Sequence, residues 1–381
     1  MNSLNPMKVR CLQIFILLTF ILSAFQASAN VKPVVIGYVG GYRGLVDAEN
    51  IDVKKLTHIN YAFVNVLKNR AVLSNEATDT INFKNLNALK PKNPSLKILI
   101  SLGGWSWSEN FSDAVLTDTS RRAFAASAVE IIKKYGLDGV DIDWKYPARP
   151  GEKGNIYRPE DKQNYTLMFE SIRNELDLLE EQTGKKYLLT TAVGGFTSFV
   201  DNTEMGKAAK YLDFVNLMTY DYSGGKIAGH HTNLYASSKY PTENFADKAV
   251  KAYVLAGVPI NKLVLGIAFY SHTYDLAENH RRGIGGKVAK RAAGHNFSFI
   301  KDSLINQNGY RYYRDRAAKS PYLYSSNKLQ FLSYDDEWSV RKKCEYVKKN
   351  KLAGVMFWEY YSDQKGYLLN EITKVLGRNS N

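Results

Sequence analysis

The chain has 381 residues, 51 Lys and Arg against 37 Asp and Glu for a formal net charge of +14, and 45 % hydrophobic residues. A charged content of 23 % with little low-complexity sequence excludes a chain that is disordered along most of its length. The basic excess would suit an anionic partner, but the Lys and Arg residues are scattered among acids and accompany no nucleic-acid motif; the reading is a solvated surface, with no nucleic-acid partner.

Residues 1–29 read as a secretory signal peptide: Lys8 and Arg10 give a basic start, Leu12 to Phe25 a mostly apolar run, and Ala27-Ser28-Ala29 a small-residue cleavage site. A membrane anchor is the alternative, but the run falls short of the roughly 20 apolar residues a bilayer core demands. Export is therefore expected, to a periplasm or outside the cell, with no membrane association after cleavage and a mature domain over 30–381. Cleavage removes Cys11 and leaves Cys344 as the only cysteine, which rules out an intramolecular disulfide. Cys344 lies in the helical pattern Trp338 to Lys349, where a half-buried structural thiol is expected.

Strand patterns follow at Val34 to Tyr38, Leu56 to Val66, Leu96 to Gly103, Gly139 to Lys145, Tyr187 to Gly194, Phe214 to Tyr220, Leu263 to Tyr270 and Ala353 to Trp358. Amphipathic stretches lie between them at Ser120 to Tyr135, Arg158 to Thr183, Asn244 to Ala256 and Glu337 to Asn350. Eight alternating units predict an α/β fold, a closed (β/α)8 TIM barrel. Gly40-Gly41 after the first strand is too weak a signal for a dinucleotide site, and no cofactor is expected. Asp275 to Asp336 breaks the rhythm and reads as a small insertion after the seventh strand, at about 275–336. A structureless loop of that length is improbable in a compact domain, so some sheet or helix is expected there. Its tyrosines, Tyr310, Tyr312, Tyr313, Tyr322 and Tyr324, would either wall the barrel mouth or form the insertion's own core.

The fourth strand carries the unusual chemistry. In Gly139-Val140-Asp141-Ile142-Asp143-Trp144-Lys145-Tyr146-Pro147 side chains alternate faces, so Val140, Ile142 and Trp144 take the helix side and Asp141, Asp143 and Lys145 point up the barrel interior. Lys145 lies nearest the carboxyl end, where barrel enzymes place their sites. Three ionisable groups in a line inside a barrel either pair with one another or do chemical work.

This segment resembles the signature of glycoside hydrolase family 18, the chitinases and chitinase-like proteins: three Asp and a Glu, usually followed by Tyr-Pro. Asp138, Asp141 and Asp143 match the acids, and Lys145 stands where the family has its catalytic Glu. Gly37-Tyr38, Asn60-Tyr61-Ala62-Phe63, Ser101-Leu102-Gly103-Gly104-Trp105, Met218-Thr219-Tyr220-Asp221 and Trp358 match further family motifs in order, over nearly all of 34–375. The resemblance implies hydrolysis assisted by the sugar's own N-acetyl oxygen, an exception to the two-carboxylate scheme. By the same resemblance Asp143 would orient the acetamido group, Tyr220 hold its oxygen, Asp221 bind sugar hydroxyls or the acid, and Trp358 form the floor under the distorted sugar.

With Lys145 at the donor position the expected outcome is loss of hydrolysis. Its unperturbed pKa lies near 10.4, and an adjacent Asp143 favours the charged form, although desolvation pushes the other way. Glu152 in the following loop and Glu359 beside Trp358 are the replacement acids considered; Glu359 should face the helices. Tyr38, Phe63, Trp105, Tyr146, Met218, Tyr220, Asp221 and Trp358 are the candidate sugar contacts, with Asp141, Asp143, Lys145 and Tyr220 the catalytic constellation. The expected partner is chitin or an N-acetylglucosamine-containing oligosaccharide. Three functions remain open: a non-hydrolytic chitin-binding protein, a weak chitinase using a replacement acid, or an interaction scaffold whose groove is closed by a Lys145–Asp143 pair. The six histidines, including His230 and His231, lack a ligand spacing, so no metal is expected. The sequence gives no oligomeric state.

Overall fold

The computed structural model describes residues 32–378; the signal-peptide expectation for 1–29 and Cys11 lie outside them. Among the described residues fourteen strands run, in chain order, β1 (Val34–Gly40), β2 (His58–Leu67), β3 (Arg70–Leu73), β4 (Lys97–Gly104), β5 (Gly139–Trp144), β6 (Leu188–Gly194), β7 (Phe214–Met218), β8 (Leu263–Ala268), β9 (His272–Leu276), β10 (Val288–Ala292), β11 (Arg311–Asp315), β12 (Ser320–Ser325), β13 (Gln330–Ser333) and β14 (Gly354–Trp358). β1, β2, β4, β5, β6, β7, β8 and β14 pair in parallel in that order, and β14 closes on β1, so the fold is a (β/α)8 TIM barrel.

The alternation of side chains divides the core in two. Val35, Val39, Ile59, Tyr61, Val140, Ile142, Trp144, Val355 and Phe357 face outward into the large cluster shared with the helices. Ile36, Tyr38, Ala62, Ala192, Met218, Val264, Ala268 and Met356 fill the barrel interior. Trp144 shows why the outward set is fixed: it is buried, with its ring stacked 5.2 Å from Phe111. A fully buried aromatic of this kind contributes on the order of 2–3 kcal/mol, which locks the strand's register and turns Asp141, Asp143 and Lys145 inward.

Local signals set the helices. Asp118–Tyr135 begins with a capping box between Thr117 and Ser120 and stops at left-handed Gly136. Glu337–Asn350 starts from the equivalent Asp336–Ser339 box. Asp161–Thr183 and Ala246–Leu255 fill the other two expected stretches. Two further helices, Glu76–Asn87 and Tyr367–Leu376, lie outside the four amphipathic stretches, as does the hairpin to β3, where Lys68 and Asn69 both take positive φ, as a tight two-residue turn requires. Cys344 is fully rather than half buried, because its face of Glu337–Asn350 packs into the outer core.

The chain between β8 and β14 builds a second, antiparallel sheet in the order β10-β9-β13-β12-β11. Tyr322 and Tyr324 pack with Tyr274, Leu276 and Phe331 in its own core. Of the two roles open to the insertion's tyrosines, core filling is the one these take.

Candidate functional site at the carboxyl ends of the strands

A cavity of about 470 Å³ opens where the barrel strands end. Tyr38, Phe63, Trp105, Asp143, Lys145, Tyr146, Met218, Tyr220, Asp221 and Trp358 all line it. Of the candidate site residues, only Asp141 does not. It sits one layer below, where the register sets Ser101 and Thr190 directly beside it.

Asp141 is wholly buried and accepts hydrogen bonds from Ser101 (2.7 Å), Thr190 (2.6 Å), Tyr38 (2.9 Å) and the Asn216 amide (3.2 Å). Burial nevertheless pushes its carboxyl up to about 6, with the nearby Asp143 charge adding to the rise and the Thr190 and Ser101 donors opposing it. Asp138, at the opposite end of β5, has a structural setting: its carboxylate meets Lys90 and Lys185, each at 2.8 Å, and accepts from the Ile98 amide.

Above Asp141, the Lys145 Nζ lies 3.0 Å from Asp143 Oδ2. Burial pulls the ammonium down, but the Asp143 carboxylate outweighs it and, helped by Tyr146 and Asp221, holds the pKa above its ordinary value. Burial raises Asp143 in turn, with Lys145 opposing. The two groups thus face one another as a buried acid–base pair, each opposing the effect of burial on the other. Asp143 Oδ1 has no protein partner and is buried. The backbone of residue 145 is fixed on both sides, its N–H donating to Ser108 and its carbonyl accepting from Asn155.

The walls are aromatic. Phe63 stacks 5.5 Å from Trp358, Tyr38 lies 5.7 Å from the same indole, and Tyr42 extends the stack beyond it at 6.3 Å. Gly104 makes the Phe63 placement possible: its φ is +85°, and a Cβ there would sit 2.6 Å from the phenyl ring. Tyr146 is flanked by Phe196 and the Arg149 guanidinium, with exposed Trp105 presenting its edge at 6.4 Å. Burial, with Asp221 and Asp143 nearby, holds the Tyr220 phenol protonated, so it remains a hydrogen-bond donor.

Asp221 takes a positive φ just past β7. Its Oδ1 accepts from Tyr270 at 2.6 Å and lies 2.7 Å from His272 Nε2, and His231 stands behind. Desolvation by the cavity wall would raise this carboxyl, whose side chain is still about half exposed; the two histidines overcome it and hold it well below the ordinary carboxylate range. Neither replacement acid lines the cavity. Glu359 is buried away from it, 3.0 Å from Arg43. Tyr270, His272, Phe196 and Arg291 also line the cavity, beyond the residues the sequence motifs mark. Tyr270 continues the inward parity of Val264 and Ala268 and was legible in that sense; Arg291 arrives on an edge strand of the second sheet, and no local pattern announces it.

Stacked aromatics around a buried acid and a tyrosine donor at the strand ends give this parallel barrel a groove with apolar walls and a few polar groups set into it. The model of glycosyl hydrolases family 18 matches residues 34–363, and the chain belongs to that family. It is 37 % identical to Chitinase A1 of Niallia circulans, over 93 % of this chain, and spans 60 % of that protein's length. Among solved structures it is similar to a family 18 N-acetylglucosaminidase from Paenibacillus barengoltzii, with 42 % identity, a TM-score of 0.84, and coverage of 90 % of this chain and 99 % of that one. A class V chitinase from Nicotiana tobaccum solved in complex with NAG4 superposes with a TM-score of 0.81 at 26 % identity, covering 91 % and 99 %.

Proposed function

We propose that this protein is an exported chitinase-like protein that binds chitin or N-acetylglucosamine oligomers without hydrolysing them, because Lys145 occupies the position of the proton donor. The observation that carries the reading is the 3.0 Å contact between Lys145 Nζ and Asp143 Oδ2. A cation held above its ordinary pKa is a poor acid at neutral pH, and it engages the carboxylate that would steady an acetamido group.

Among the described residues the carboxylates lining the cavity are Asp143 and Asp221, and the histidine partners of Asp221 keep it ionised, which argues against a replacement acid. The open volume of about 470 Å³ argues against a groove sealed by the ion pair. Asp143, Tyr220 and Trp358 are assigned to the acetamido group, its oxygen and the sugar face, with Tyr38, Phe63, Trp105, Tyr146, Met218 and Asp221 along the groove. Export rests on the signal-like residues 1–29; among the described residues no helix is long and apolar enough to cross a membrane.

The test is direct. The purified protein is expected to be retained on chitin beads and to bind N-acetylglucosamine oligomers by calorimetry while releasing no reducing ends. Turnover that disappears in Asp143→Asn would defeat the reading, and so would the absence of any oligomer binding.

A further inference from the structure

We propose that the β10 edge of the second sheet, next to the cavity, is a docking surface for an acidic polysaccharide, one that carries carboxylates along its length. From Asn279 to Lys301 the chain contains six Lys and Arg and no Asp or Glu. This stretch supplies β10, whose middle residues are exposed, and the loop before it. Two other segments add cations to the same surface. An antiparallel bridge from Ile227 to Lys287 sets Lys226 beside the strand, and a Cβ at Gly285 would meet the Lys239 carbonyl at 3.4 Å.

Of Lys226, Lys239, Arg282, Lys287, Lys290 and Arg291, one makes an ion pair among the described residues: Lys290, with Asp275 at 3.5 Å. With Glu278 at the start of the loop, that makes two carboxylates against six cations. Asp221, nearby in the cavity wall, is already engaged by His272 and Tyr270. Guarding a strand edge against unwanted pairing is the ordinary use of such lysines. It does not account for Arg282 and Lys239, which lie off the edge. The Arg282 guanidinium sits 5.7 Å over the Tyr313 ring and the Lys239 ammonium 5.5 Å over Tyr322, and the two rings stack at 5.3 Å. Aromatic faces hold cations in place without neutralising them, so these charges are positioned and still open to an anion.

Arg291 points to the occupant. It is the residue of the basic stretch that lines the cavity, where its guanidinium meets the His272 ring at 2.9 Å instead of a carboxylate. The basic surface therefore begins at the mouth of the groove and runs outward along β10, so a polymer with sugar units at the groove lies across it. Lys287 to Arg291 spans about 13 Å at the rise of an extended strand, which suits charges repeated along a chain rather than one compact anion. The choice of a polysaccharide rests on the carbohydrate reading of the cavity; the charge of the surface does not.

The test uses the whole protein, with polygalacturonate as the probe and neutral dextran as the control, followed by affinity electrophoresis and calorimetry. Polygalacturonate should bind and dextran should not, with affinity falling about tenfold or more between roughly 50 and 300 mM NaCl. Lys239→Gln, Arg282→Gln and Lys287→Gln together, all outside the cavity, should weaken binding more than about tenfold and leave retention on chitin beads unchanged. A matched variant on the barrel helices, Lys84→Gln with Lys133→Gln and Lys134→Gln, loses the same net charge and should bind polygalacturonate like the parent. A parent protein that stays on chitin beads but ignores polygalacturonate would overturn this proposal alone; polygalacturonate binding without chitin retention would support it and overturn the reading of the groove. Equal weakening in the matched variant would also overturn it, as would single-stranded DNA bound as tightly as polygalacturonate.

Discussion

Replacing Lys145 by Glu tests the reasoning at its centre. The lysine Nζ now lies 3.0 Å from Asp143 Oδ2, and a glutamate at the same Cα, one bond shorter, places its carboxyl beside the same group under the same barrel mouth. Two buried carboxyls this close cannot both ionise, so the pair retains a proton near neutral pH, which is the form a general acid needs. A positioned donor is typically worth about 10²–10⁴ in rate, or about 2.7–5.5 kcal/mol of barrier. Reducing-end release from an N-acetylglucosamine tetramer should therefore rise by that factor in Lys145→Glu and vanish again in Lys145→Glu with Asp143→Asn. Lys145→Gln, which removes the cation without supplying a proton, should bind and not cut. As pH rises through the raised pKa of the shared proton, the gained rate should fall. A Lys145→Glu protein that folds and binds the oligomer like the parent, yet cuts no faster, would refute the claim that the donor is the missing part.

Three further outcomes follow from the same geometry. Trp358→Ala removes the indole that Phe63 and Tyr38 pack against, and oligomer affinity measured by calorimetry should fall about 30-fold, or about 2 kcal/mol. Asp141 titrates near 6 in the fold against about 3.9 unfolded, so its protonated form contributes stability that is present below pH 4 and lost as pH rises through 6. Denaturant unfolding should then show Asp141→Asn gaining about 3 kcal/mol on the parent between pH 4 and pH 7; a pH-independent difference would contradict the burial argument. Gly104→Ala forces a side chain into positive φ and against the Phe63 ring, and should cost about 1–3 kcal/mol of stability while loosening the aromatic wall; unchanged thermal stability would count against that packing.

Much of this was legible in the sequence because a barrel strand repeats every two residues and its outward face must be apolar. Val140, Ile142 and Trp144 alone dictate that Asp141, Asp143 and Lys145 turn inward, and the structure places them so. All eight barrel strands lie within two residues of the pattern at either end. The helix Glu76–Asn87 was not legible because its apolar positions are few and its buried face includes Asp79 and Asn82, which serve Tyr61 rather than the hydrophobic pattern. The meeting of Asp221, His231 and His272 was likewise hidden: residues this far apart along the chain share no local spacing, and the second sheet brings them together only after β8 has ended.

The ion pair between Asp143 and Lys145 joins the last inward-facing residue of β5 to the residue just past its end, two positions apart in one short segment. Lysine and glutamate codons differ by one base. On the proposed reading, a cutting tool and a gripping one are thus neighbours in genetic space on this scaffold, so a lineage carrying it can cross between the two roles without rebuilding the fold, and selection on the organism's use of the polymer, rather than on foldability, decides which side it occupies.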